Sequence, residues 1–91
     1  MNEQDVTERL EAALEALASI EHERWAHWQH YMHSKADLRA DGSMVVPAEL
    51  VSQWTRQIDT PYDELSPDEQ ESDREQVRRY LPAVIAALTG R

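Results

Sequence analysis

No glycine or proline falls between Met1 and Asp41. With the two strongest helix breakers missing and Glu, Ala, Leu, Gln and Arg recurring, this opening stretch has one regular structure open to it, the α-helix. The pattern predicts a first helix from about Asp5 or Thr7 to about Ser34. At 100° per residue, Leu10, Leu14, Leu17, Trp28 and Met32 share one side, flanked by Val6, Ala13, Ile20 and Tyr31. Two charged residues intrude there: Glu21 between Leu14 and Trp28, and Arg24 beside Val6 and Leu17. His22, His27, His30 and His33 fan across the opposite side.

The remaining 50 residues hold both glycines and all four prolines, so every break in the chain is expected there. Asp41-Gly42-Ser43 signals a turn, and Met44-Val45-Val46 is a short β-like run, giving an extended connector from about Lys35 to Val46. Pro47 suits the first position of a second helix, to about Ile58, with Leu50, Val51, Trp54 and Ile58 at helical spacing. Pro61 opens a short helical turn, Tyr62 to Leu65. Ser66 and Glu69 then have the spacing of a capping box for a last helix. Val77, Leu81, Val84, Ile85 and Leu88 lie along one side of that helix, and Gly90 suits its C-terminal cap. Pro82 falls inside it, where a kink or a restart is expected. The expected architecture is all-α: a compact bundle of three main helices plus a short helical turn, in a single domain covering 1–91.

Composition excludes several function classes. There is no cysteine, hence no disulfide, thiolate catalysis or Cys-based zinc site, which fits a reducing cytoplasm. No apolar run approaches a membrane span, and the acidic start MNEQDVTERLEA is unlike a signal peptide, so a cytoplasmic location is expected. A net charge of −9 disfavours long nucleic acid, whose affinity rests on many phosphate neutralisations. A few local arginines would still suffice for one small anionic ligand. Two isolated glycines make no phosphate loop, and no serine sits in a nucleophile elbow.

The histidines have i,i+3 spacings, but His22 and His27 are five apart and do not form a zincin pair, so a solvated face without metal is expected. Glu21 and Arg24 on a core-facing side need partners. They can pair with each other, and Asp73 of the last helix offers a cross-helix bridge to Arg24. Core volume in a chain without Phe should come largely from Trp25, Trp28, Tyr31, Trp54, Tyr62 and Tyr80. Arg74, Arg78 and Arg79 should pair with Glu71 and Glu75 on the surface.

Two segments carry a family resemblance. IEHERWA (20–26), with His22, Glu23 and Trp25, resembles the opening of the ryanodine-receptor repeat (RyR) domain. TPYDELSPDEQESDRE (60–75), with Pro61, Tyr62, Leu65, Glu71, Asp73 and Arg74, resembles its closing motif. The resemblance implies a helical module without catalysis, encoded in a phage or prophage setting, that binds nucleotide-derived ligands. Carried across residue by residue, it implies His22, Trp25, Tyr62, Asp73 and Arg74 as ligand contacts, and the face analysis adds Arg24. A base would lie against Trp25 or Tyr62 and an anionic group near Arg24 or Arg74. No cofactor is expected. The alternative is a structural or protein-interaction protein that self-associates through Trp54 and the apolar strip around Leu88, with no small-molecule ligand.

Overall fold

The computed structural model describes residues 1–90. Their order is α1 (Glu3–Ala12), α2 (Leu14–Lys35), β1 (Asp37–Leu38), β2 (Met44–Val45), α3 (Ala48–Asp59), a 3-10 turn (Tyr62–Glu64) and α4 (Pro67–Thr89). The molecule is all-α apart from the two-residue strands. The count of main helices is four rather than three, because the opening helix is interrupted at Ala13 (φ −92°, ψ 4°). There the amide of Ala13 turns back to Leu10 and Glu11 in a tightened turn, and α2 starts without a side-chain cap. Asn2 and Asp5 close a capping box at the start of α1 that fixes where the chain becomes helical.

The connector pairs with itself. Asp37 faces Val45 and Leu38 faces Met44 in an antiparallel ladder, where the sequence supported only an extended run. Gly42 at φ +89° supplies the left-handed turn between them, and Asp41 accepts hydrogen bonds from the Ser43 amide and hydroxyl. Pro47 caps α3 one residue before it begins. Ser66 and Glu69 form the expected capping box, and Gly90 (φ 75°) closes α4. Pro82 neither ends nor restarts α4, which runs unbroken from Pro67 to Thr89. Its ring leaves only the carbonyl four residues back, that of Arg78, without a donor.

The long helices form an antiparallel hairpin: Arg9 lies beside Gly90 at one end, while Glu21 meets Tyr80 further along. The half-buried residues mark its seam. Among those in α1–α2 the seam runs through Val6, Leu10, Ala13, Leu17, Ile20 and Arg24; among those in α4, which also include Val84, Ala86 and Leu88, it runs through Gln76, Tyr80, Ala83 and Ala87. Both sets alternate steps of four and three, the spacing of helices that cross at a small angle. The seam is therefore rotated from the side expected: Leu14 lies outside it, 56 % exposed, while Val6, Ala13 and Ile20 lie within.

The bundle is not compact. The Cα radius of gyration is 17.8 Å and the extents are 54 × 34 × 17 Å, whereas about 12 Å is usual for a globular chain of this length. No described side chain is fully buried. The expected aromatic core is absent for the same reason: Trp25, Trp28, Tyr31 and Tyr62 are exposed, and only Trp54 and Tyr80 are half-buried. Two long helices and two short ones, spread along a hairpin, cannot surround any residue on all sides.

Candidate functional site

The six residues singled out from the sequence fall in three places. His22 and Trp25 stack on each other on the outer surface of α2, with ring centroids 6.0 Å apart and 28° between planes. Arg24 lies in the α2–α4 seam. Tyr62, Asp73 and Arg74 line one groove with Val77, Arg78 and Leu81, about 390 Å³ in volume and open to solvent. Half of the expected site thus converges where the 3-10 turn meets α4. The other half does not join it.

At the seam Arg24 makes a forked pair with Glu21, Nε donating to Oε2 at 2.9 Å and Nη2 to Oε1 at 2.5 Å. The Tyr80 hydroxyl of α4 donates to the same Glu21 carboxylate. Arg24 first and Tyr80 second hold the Glu21 carboxyl down at about 2. The Arg24 guanidinium is pushed up, chiefly by Glu21, and the Tyr80 phenol is pushed up by the carboxylate it donates to. Asp73 is not the partner: among the described residues no ion pair joins it to Arg24. Tyr80 lies two helical turns further along α4, and the antiparallel register brings that turn level with Glu21. With its fork committed to Glu21, Arg24 has little left to offer an anion. Glu21 stays ionised at neutral pH and Tyr80 stays protonated, so the cluster works as a polar lock between helices and has no proton to exchange.

The groove has a similar character. Glu71 accepts from Arg74 at 3.1 Å and from Arg78 at 2.5 Å, spanning two turns of α4 with one carboxylate. Both arginines therefore use Glu71, and among the described residues neither Glu75 nor Arg79 takes part in an ion pair. Glu71 is lowered, by Arg78 more than by Arg74, while Arg74 is raised by Glu71 first and then by Tyr62. The amide of Gln70 donates to the Tyr62 carbonyl at 2.9 Å and holds the 3-10 turn over the helix. The groove presents a phenol, the Asp73 carboxylate, two guanidinia that share the single Glu71 carboxylate, and the apolar edges of Val77 and Leu81. A second hollow of about 410 Å³ on α1, between Asp5, Glu8, Arg9 and Ala12, contains none of the expected site residues.

Two structural hubs had no complete signal in the sequence. Glu69 is the capping-box residue, but it also accepts from Gln57 at 2.5 Å and Arg56 at 3.1 Å and so ties α3 to the start of α4. Gln57 and then Ser66 hold its carboxyl down at about 2. Tyr80 is the other; its only signal was a four-three spacing with Gln76, Ala83 and Ala87. Trp54 meets Trp28 edge-on, with centroids 5.5 Å apart, and Trp28 stacks on Tyr31. No group of three or more His, Asp or Glu side chains among the described residues is placed to hold a metal ion. No helix among them is long and apolar enough to cross a membrane. No family model, curated protein or solved structure matches the chain.

Proposed function

We propose that this chain is a non-enzymatic helical interaction module whose fold is completed by self-association. The observation that carries this reading is the surface it leaves open. The chain exposes 7142 Å², against about 5,400 Å² expected for a compact monomer of 10.5 kDa. The excess is about 1,700 Å² per chain, and an obligate dimer interface removes roughly 1,000–2,500 Å² from each partner. Large apolar side chains lie on that surface on three helices: Leu14, Trp25, Val51, Ile58, Val77, Leu81 and Ile85. Sedimentation equilibrium from low to high micromolar concentration tests it, and a dimer with a melting temperature that rises with concentration is the expected result. A monomer throughout that range would refute it.

A second reading keeps the small-ligand role, in line with the resemblance to the RyR domain. It is supported by Tyr62, Asp73 and Arg74 lining one groove. A nucleotide-derived ligand would stack its base on Tyr62 and draw Arg74 or Arg78 away from Glu71 to meet an anionic group. Titrating a panel of nucleotides and watching the melting temperature tests this. A ligand at 100 times its Kd adds about 2.7 kcal/mol, and no shift at millimolar concentration rejects it.

A further inference from the structure

We propose that two copies of this chain pair through one face of α4, with Val77, Leu81 and Ile85 of one copy lying antiparallel against the same residues of the other. The proposal rests on the self-association reading above and specifies its surface. These three side chains are 56 %, 46 % and 57 % exposed and recur every four residues, so they form a continuous ridge. Val84 and Leu88, half-buried, fill the space between this ridge and the seam. From Val77 onward this arc of α4 holds only apolar residues, with Arg78 at its edge, where it shares the Tyr62 groove with Val77 and Leu81, while Arg79 projects elsewhere around the helix.

The hairpin widens the face. Two antiparallel right-handed helices, viewed from one end, wind in opposite senses. Side chains offset in the same angular direction from the shared seam therefore project to the same side. Val77, Leu81 and Ile85 are offset in that direction on α4, and Leu14, Ala18 and Trp25 are offset likewise on α2. The register set by Arg9 beside Gly90 and Glu21 beside Tyr80 puts Leu14 level with the last turns of α4 and Trp25 level with Val77. The result is half of a four-helix bundle, one two-helix layer with an apolar side that the Tyr62 turn meets only at its N-terminal end on α4.

A second copy is the occupant that the area selects. Layered folds need two layers to close a core, and a two-fold pair supplies the second layer from an identical surface. The surplus of about 1,700 Å² is the share one chain contributes to an obligate dimer. The groove beneath Tyr62 lies at the N-terminal end of the ridge, where Val77 and Leu81 form part of its wall. In an antiparallel pair this notch receives the C-terminal turns of the partner's α4.

The absence of cysteine makes the test direct. Leu81→Cys places one thiol near the two-fold axis, and a short bismaleimide should join two chains in high yield. Ile58→Cys, 81 % exposed on α3, should give at least tenfold less covalent dimer. Leu81→Asp should weaken the dimer by tenfold or more in sedimentation equilibrium. If that variant loses its circular-dichroism helicity, the cross-link alone decides. A dimer that resists Leu81→Asp and cross-links no better through position 81 than through position 58 overturns this face and leaves self-association standing. A wild-type monomer at every concentration overturns both.

Discussion

Pro82 offers a sharp test of how α4 is built. The helix runs through it, with fifteen residues before it and seven after, and its side chain is exposed, so Pro82→Ala removes no buried surface. The substitution restores an N–H to the carbonyl of Arg78 and removes the ring that crowds the preceding turn, an effect of about 3 kcal/mol in a regular helix. Against this, alanine frees the unfolded chain at that position, which costs about 0.4–1 kcal/mol. The net expectation is a gain of about 2 kcal/mol. Unfolding entropy of about 2.1 cal/mol/K per residue converts this to a rise of roughly 10 °C in melting temperature for a chain of 91 residues. Circular-dichroism melts at one fixed protein concentration measure it, because self-association shifts the transition by mass action. A melting temperature that stays level or falls would refute the argument, since it would mean that the proline ring itself is needed to seat α4 against α1 and α2.

Other consequences follow from individual contacts. Gln76 lies in the seam with its Oε1 shielded and without a hydrogen-bond donor; Gln76→Leu should raise stability by about 1 kcal/mol in urea denaturation, and a loss would show that the amide is satisfied. Glu21 and Glu69 both have carboxyls held at about 2, below the ordinary 4.5. Their folded values are depressed, so their contribution is full above about pH 4.5 and fades as pH falls towards 2. The stability difference between the wild type and Glu21→Gln/Glu69→Gln should accordingly shrink across that window, and a difference independent of pH would reject the assignment. Gly90 holds φ 75° and an added Cβ would lie 3.2 Å from the tip of the Arg9 side chain. Gly90→Ala should therefore cost about 1 kcal/mol in thermal melts, mostly from the left-handed backbone because the Arg9 tip can move. No measurable loss would mean that the last turn of α4 frays without harm.

The parts of the fold legible in the chain were those set by neighbours in sequence. Ser66 and Glu69 announce the start of α4 because both partners of a capping box lie within one turn. Gly90, Pro47 and the Asp41-Gly42 turn mark boundaries through backbone preferences that do not depend on distant residues. Glu21 and Arg24 could be paired for the same reason, being one turn apart. Ala13 shows the limit of such reasoning: nothing in its identity signals a break, and the tightened turn appears only where α1 and α2 each follow α4.

The candidate site was legible only in pieces. Tyr62, Asp73 and Arg74 meet because the 3-10 turn folds directly onto the helix that follows it, a short-range event. His22 and Trp25 do not line that groove; they stack on each other on α2, across the seam from α4. Helical periodicity assigned Val77, Leu81 and Ile85 to an apolar side correctly, yet it could not say that this side would be left open.

Sequence alone therefore determined the helical segments apart from the break at Ala13, most of their caps and turns, and which residues are apolar on each. Those properties arise from backbone preferences and contacts within a turn or two. Tertiary structure alone decided that Tyr80 rather than Asp73 reaches the Glu21–Arg24 pair, that the seam runs through Ala13 and Ala83, and that one apolar ridge is left uncovered. A slide of two turns along a helix, or a rotation of a few tens of degrees, changes no local preference but exchanges every partner across the interface.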